Sequence, residues 1–212
     1  MIFDKKWETE IYSAKRQLNK YPFDSLVSIV HYLFKKKIKN NISALDLGCG
    51  AGNNTKFLID FGFKNITAID GSATAIKFAK KRIKQKNCKF LIGDYIKMNL
   101  SKKKYDLIVD RLSLSHNTKK KISYMINNNL KIKKNGYFIS YLFSKKHSEF
   151  KTKKFFKNAM KLKSPITASF YNKYEILKLF KNFKIIKFYH NVTRELKSNY
   201  INSHWIVVAK NK

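Results

Sequence analysis

The stretch Ala44-Leu45-Asp46-Leu47-Gly48-Cys49-Gly50-Ala51-Gly52 constrains this chain more than any other part of it. A short apolar run, residues 42–47, enters three glycines spaced two apart and leaves them in the helical pattern of residues 54–60. Glycines allow a tight turn and let a ligand approach bare backbone, while the start of the helix presents unpaired N–H donors. A strand passing through such a turn into a helix opens a βαβ unit, so a mainly parallel sheet is expected around it.

The rest of the sequence keeps that rhythm. Residues 4–18 carry Trp7, Ile11, Ala14 and Leu18 at helical spacing. Tyr21-Pro22-Phe23-Asp24 breaks the chain, and Asp24 reads as the cap of a second helix running to about Lys36. Beyond the turn, strands are expected at 66–69, 89–92, 105–109 and 137–143, the last introduced by a turn at Asn135-Gly136. Helices are expected at 73–86 and 119–130, and residues 144–170 interrupt the alternation with a very basic insertion. A helix over 173–180 and strands over 184–189 and 205–209 close the chain, the two strands forming an antiparallel pair at the sheet edge. The expected architecture is α/β, with N-terminal helices before a doubly wound, mostly parallel seven-stranded sheet. It is read as one domain: a helical cap (1–40), a core (41–143), the basic insertion (144–170) and a closing helix and β-pair (171–212).

Asp70 ends the second expected strand, where a carboxylate can accept both hydroxyls of a ribose. A dinucleotide site needs Gly-x-Gly-x-x-Gly, but Gly48-x-Gly50-x-Gly52 brings the third glycine one residue early. Asp46, just before the turn, would repel a pyrophosphate and suit a cationic amine. A P-loop is excluded because no Gly-Lys-Ser/Thr follows the turn. Both departures from the dinucleotide pattern favour a ligand with a ribose and a positive charge.

Residues 45–52, Asp70-Gly71-Ser72, Gly93-Asp94-Tyr95 and residues 106–110 together resemble the ordered motifs of class I S-adenosylmethionine-dependent methyltransferases. The resemblance is close over 42 to about 143 and looser over the closing β-pair. It implies a Rossmann-like fold with S-adenosyl-L-methionine as cofactor. It further implies that Asp46 meets the cofactor's methionine amino group through water and that Gly48, Cys49, Gly50 and Gly52 wall the methionine moiety. Asp70 would take the ribose hydroxyls, Gly71 and Ser72 would lie beside the adenine, Asp94 would accept the adenine amino group and Tyr95 would pack near the ring. Any one of these acids reads as well as a helix cap or turn former. Together with Asp110 they fall at successive strand ends, on the edge where such sheets bind ligands.

The end of the fourth strand, Asp110-Arg111-Leu112-Ser113-Leu114-Ser115-His116, is expected to face the transferred methyl. It lacks the Asn- or Asp-Pro-Pro-aromatic motif of base amino-methyltransferases, and neither Cys49 nor Cys88 is placed for covalent base methylation. Direct displacement onto an oxygen or nitrogen remains, in which the protein holds the nucleophile in line and removes its proton. His116 is the candidate base, or else a capping or partly buried histidine. Asp110 orients the nucleophile, contacts the cofactor or serves as a turn residue. Arg111 grips a phosphate or carboxylate, or forms a structural salt bridge. His147 lies in the insertion within reach of the site, while His31, His190 and His204 read as packing residues.

The opening run Trp7-Glu8, Tyr12 and Leu18-Asn19-Lys20-Tyr21-Pro22-Phe23-Asp24 resembles small methyltransferases that modify bacterial surface-polysaccharide precursors, capsular phosphoramidate precursors among them. In that resemblance Tyr12 and Tyr21 line the acceptor site, and Asp110-Arg111 with His116 is similar to the same group. Read without it, the segment is two amphipathic packing helices.

Charge is the remaining clue. Lys and Arg total 46 against 13 acids, a formal net charge of +33, yet only Arg16, Arg82, Arg111 and Arg194 carry the fork that grips phosphate bidentately. Lys is spread along the chain beside abundant Asn and Ile, which favours compositional drift over a nucleic-acid footprint. Lys145, Lys146, Lys151, Lys153 and Lys154 could attract a phosphorylated acceptor. A 44% hydrophobic content supplies a core, and the longest apolar run, 137–143, is too short to span a bilayer. With no signal-peptide pattern and no cysteine framework, a cytoplasmic enzyme acting on a small anionic acceptor is expected. An RNA methyltransferase and a non-catalytic cofactor-binding module are the alternatives.

Overall fold

The computed structural model of the chain describes residues 3–35, 41–152 and 162–211. Seven strands form one sheet: β1 (Ser43–Leu47), β2 (Asn65–Asp70), β3 (Cys88–Ile92), β4 (Lys104–Arg111), β5 (Lys131–Phe143), β6 (Phe183–Arg194) and β7 (Ile201–Asn211). Their order is β3-β2-β1-β4-β5-β7-β6, so the winding reverses after β1 as a doubly wound fold requires. β1 pairs parallel with β2 and β2 with β3, while β7 lies antiparallel between β5 and β6. The chain divides into two compact units, Met1–Met98 with Tyr105–Ile108 and Asn99–Lys104 with Val109–Lys212.

In the first unit β1 is buried along its whole length, and β2 is buried except at Asn65. Strands covered on both faces need continuous apolar runs, which Ala44-Leu45 and Ile66 to Ile69 largely provide. Helices α1 (Asp24–Phe34), α2 (Asn53–Asp60) and α3 (Ala73–Arg82) complete it. Ser72 caps α3 by accepting the Ala75 N–H at 2.9 Å, satisfying a donor that the first turn leaves open.

In the second unit Phe138 of β5 packs on Phe180 with ring centroids 5.8 Å apart. Helix α4 (Lys119–Tyr124) runs on into a π-helical turn at Met125–Asn129, and α5 (Ser148–Thr152) and α6 (Lys173–Leu179) follow β5. A capping box starts α6: Asn172 Oδ1 accepts from Glu175 N at 2.8 Å, and Glu175 Oε2 accepts from Asn172 N at 2.8 Å.

Four local expectations change. The first helix is only a π-helical segment, Trp7–Tyr12, because Lys15 and Gln17 turn left-handed (φ 55° and 56°) and leave Ala14 exposed. Asp24 is the first helical residue of α1 rather than its cap, and Lys36 lies outside the described residues. α3 stops at Arg82 because Ile83 turns extended (φ −117°, ψ 104°) and is buried. Asn135-Gly136 is a kink inside a thirteen-residue β5 rather than a turn before it, with Asn135 supplying φ 66°, a value Asn tolerates.

Candidate functional site

The glycine turn of the first unit is built as its sequence requires. Gly48, Gly50 and Gly52 have φ of 69°, 53° and 81°, all in the region that disfavours a Cβ. Gly48 N and Cys49 N both donate to the Ile69 carbonyl, at 2.8 and 3.0 Å, which folds the turn back against β2. At Gly52 a Cβ would lie 2.9 Å from Ala79 Cβ, so this glycine also lets α3 pack closely.

Asp70, at the end of β2, faces that turn. Its carboxylate accepts from Gly50 N and Ser72 N, each at 2.9 Å, and is buried. Burial raises its pKa to about 6 against the lowering effect of those two hydrogen bonds. Asp46, also buried, accepts from the Thr55 hydroxyl of α2 at 2.5 Å. Asp94 follows β3 and accepts from Ile96 N at 3.1 Å and Phe3 N at 3.2 Å. Tyr95 is buried beside it in sequence.

The N-terminal segment covers these groups. A Cβ on Gly71 would fall 2.1 Å from the Phe3 ring, and one on Gly50 would fall 2.7 Å from the Tyr12 hydroxyl. Tyr12 is buried, and burial first, then the charges of Asp70 and Asp46 and the Cys49 thiol, push its phenol well above 10. Glu8 accepts from the Ser72 hydroxyl, from Thr74 Oγ1 at 2.5 Å and from Thr74 N at 3.2 Å. Glu8 belongs to the opening run Trp7-Glu8, in which the sequence gives it no role of its own, and these bonds tie that run to the start of α3. Tyr21 is not brought in with Tyr12. Its side chain is 82% exposed, and its carbonyl alone is anchored, by Asn53 Nδ2 at 2.9 Å.

The residues fit the expected cofactor. A buried carboxylate pinned by two backbone donors still has acceptor capacity for hydroxyls, and glycines keep the neighbouring wall free of Cβ atoms. Covalent chemistry is disfavoured: burial, then Asp70 and Asp46, push the Cys49 thiol well up, and burial lifts Cys88 to about 12.

In the second unit the end of β4 is held by Asp110, which is fully buried. Its Oδ1 accepts from the Ser113 hydroxyl (2.8 Å) and Leu114 N (2.9 Å), and its Oδ2 from the Ser140 hydroxyl (2.9 Å). Burial raises Asp110 to about 6 against these donors. The bonds clamp a turn in which Leu112 has φ 66°, and they lead into a 3₁₀ segment, Leu114–His116. His116 Nδ1 lies 3.2 Å from the Thr167 carbonyl, which can only accept, so this bond puts a proton on Nδ1, and in the neutral ring the lone pair is then on Nε2. Its ring stands edge-on to Phe143, with centroids 5.5 Å apart.

Arg111 stacks 4.8 Å over the Tyr141 ring. His147 is buried and its pKa is lowered to about 4 by burial, and Nδ1 accepts from Glu149 N at 3.2 Å. His190 stacks on Trp205 at 3.8 Å, while His31 is exposed and stands edge-on to Phe61 rather than packing in the core as expected. Lys145 and Lys119 both pair with Glu175, so Lys145 already has an anionic partner. Lys153 and Lys154 lie outside the described residues.

Comparison with known proteins bears on the family and the fold. A family model described as a methyltransferase domain matches residues 38–197. The human protein named EEF1A lysine methyltransferase 2 is 30% identical over 91 residues, covering 42% of this chain and 39% of its own length. A malonyl-[acyl-carrier protein] O-methyltransferase of Acetivibrio thermocellus is 38% identical over 72 residues, covering 34% of this chain and 25% of its own. The chain therefore spans well under half the length of these curated relatives. Among solved structures, the N-methyltransferase NodS of Bradyrhizobium japonicum, in complex with S-adenosylhomocysteine, superposes with a TM-score of 0.66 at 17% identity, covering 92% of this chain and 90% of its own. The PH0226 protein of Pyrococcus horikoshii gives 0.66 at 20% identity, over 99% and 97%. The chain belongs to the methyltransferase domain family and has the Rossmann-like fold of the class I methyltransferases, whose cofactor is S-adenosylmethionine.

Proposed function

We propose that this chain transfers a methyl group from S-adenosylmethionine to an oxygen or nitrogen of a small anionic acceptor. The observation that carries the reading is Asp70, a buried carboxylate held by Gly50 N and Ser72 N beside a glycine turn that cannot accommodate a dinucleotide fingerprint. Two backbone donors use half of the carboxylate's roughly four acceptor positions, leaving capacity for a ribose diol. When bound, the cofactor supplies a methyl already activated toward displacement by its sulfonium.

The chain's own groups do the rest. Asp46 takes the cofactor's amino group, Asp94 and Tyr95 take its adenine end with Gly71 and Ser72, and Cys49 and the three turn glycines wall the methionine moiety. His116, with Nδ1–H directed at the Thr167 carbonyl, receives the acceptor's proton at Nε2. Asp110 is a positioning residue that sets the Ser113–Leu114 turn carrying His116. Arg111 meets the acceptor's anionic group, and Tyr12 lies on the acceptor side of the methionine end. The resemblance of residues 7–24 to enzymes of surface-polysaccharide modification supports a phosphorylated, nucleotide-linked or phosphoramidate precursor as acceptor. The O-methyltransferase relative supports oxygen as the methylated atom and the lysine methyltransferase relative supports nitrogen, so both stay in the reading.

Calorimetry with S-adenosylhomocysteine and with NAD tests the cofactor. Binding of the first alone is expected, and Asp70→Ala should abolish it; unchanged binding in that variant sinks the assignment. Labelled cofactor incubated with nucleotide-linked sugars then tests the acceptor class by methyl release. The +33 charge favours one rival, an enzyme on RNA. That rival requires RNA affinity falling steeply with salt, with RNA as the methylated species.

A further inference from the structure

Sequence reading made His204 a packing residue of the last strand, and the structure gives it an unusual setting. It lies in β7 opposite Phe143 of β5, with Ile206 opposite Tyr141, so the alternation of strands puts His204 and Tyr141 on one sheet face. Their ring centroids are 5.8 Å apart. His204 is 6% exposed, and both its Nδ1 and its Nε2 are buried without a hydrogen-bond partner among the described residues. Buried polar atoms without a partner are uncommon because each forfeits the hydrogen bonds it made to water, so two on one ring call for an explanation.

The groups that act on His204 are informative. Burial, then the charge of Arg111, then His147 and His190, lower its pKa to about 4, so the ring is neutral at pH 7. A neutral imidazole keeps one N–H donor and one lone pair. None of these neighbours is an acid. Arg111 meanwhile stacks on the same Tyr141 ring that His204 approaches. One sheet face thus gathers a guanidinium, an imidazole donor and an aromatic floor. That is the donor set for an anionic oxygen group, bidentate to the guanidinium and singly bonded to the imidazole.

We propose that Arg111 and His204 together form the anion subsite of the acceptor, binding its carboxylate or phosphate oxygen against Tyr141. The inference rests on the methyltransferase reading above and sharpens it, because it assigns the anion-recognising partner of Arg111 to β7, almost a hundred residues away in sequence. His204 and Tyr141 are buried, so entry of an anion requires side chains on this face to move; Phe143, opposite His204 in the register, packs on Phe170.

The test uses the full chain with ¹⁵N-labelled histidine. Ring nitrogens are followed during titration with inorganic phosphate and with acetate, ionic strength being held constant with chloride. His204, assigned through His204→Gln, should shift saturably while His31 does not. Arg111→Gln should remove the saturable shift, and Arg111→Lys, which keeps the charge without the fork, should weaken it about tenfold and serves if the Gln variant fails to fold. A response to phosphate alone assigns a phosphorylated acceptor, and a response to acetate alone assigns a carboxylate. An unmoved His204, equal drift of all five histidines, or a shift indifferent to Arg111 overturns the subsite. S-adenosylhomocysteine binding is measured by calorimetry on the same sample. Binding with a silent His204 refutes the subsite alone, whereas absent binding refutes the methyltransferase reading whatever His204 does.

Discussion

Protonating Asp70 should release the cofactor. Burial holds this carboxyl at about 6 rather than in the usual acid range, so in the free protein it is ionised at pH 7 and mostly neutral at pH 5. Ribose hydroxyls donate hydrogen bonds, and the ionised form is the better acceptor, so binding draws on the deprotonated protein. If only that form binds, the apparent Kd for S-adenosylhomocysteine rises about tenfold between pH 7 and pH 5. Calorimetry across pH 5–8, in two buffers of different ionisation enthalpy, should show close to one proton released at the low end and none above pH 7. The same shift acts on folding with a definite sign. An acid raised from 3.8 to about 6 on folding contributes stability that is complete below pH 3.8 and lost as pH rises through 6, at most about 3 kcal/mol. Asp70→Asn should flatten the binding profile, while the stability profile keeps the part of its bend that Asp110, also near 6, supplies. A pH-independent Kd in the native protein, or a bend in Kd that survives in Asp70→Asn, would refute the assignment of Asp70 to the ribose.

Other expectations follow from the same geometry. Gly52→Ala combines left-handed strain of about 1 kcal/mol with overlap at Ala79 Cβ and Cα, for a total of roughly 2–4 kcal/mol by urea denaturation. Gly50→Ala carries similar strain but meets only the Tyr12 hydroxyl, so equal losses in the two variants would contradict the packing argument. Asn172→Ala removes the capping box of α6 and should cost about 1 kcal/mol. Glu175→Gln keeps the reciprocal cap but loses Lys119 and Lys145, so its cost should be below about 1 kcal/mol and should vanish in 1 M salt. At pH 8 the native protein should leave Cys49 untouched by a thiol reagent while the urea-unfolded chain reacts at both cysteines. Rapid native modification at Cys49 would show that its thiol is not the buried, raised group seen here.

Much of this protein was legible in its residues. The three turn glycines and the acids Asp46, Asp70 and Asp94 are local features, each tied to the strand or helix beside it, and the glycines take the left-handed φ that their spacing suggested. The seven-stranded, mostly parallel sheet with its antiparallel closing pair followed from the alternation of strands and helices, whereas the strand order came from the structure. Three things were not legible, and each depends on contacts between residues far apart in sequence. Glu8 meets Ser72 and Thr74 from 64 and 66 residues away in sequence. Asp110 reads equally as a catalytic acid, a ligand or a turn residue until Ser140 of β5 is brought against it. His204 reads as one more strand histidine until the β5–β7 register sets it beside Tyr141 and leaves its nitrogens unpaired. By itself, then, the sequence determined the sheet, the glycine turn and the acids at its edge, because those follow from backbone geometry and short-range periodicity. Only the tertiary structure decided which polar side chains are already satisfied and which are not, because hydrogen-bond satisfaction depends on long-range register that no local pattern encodes.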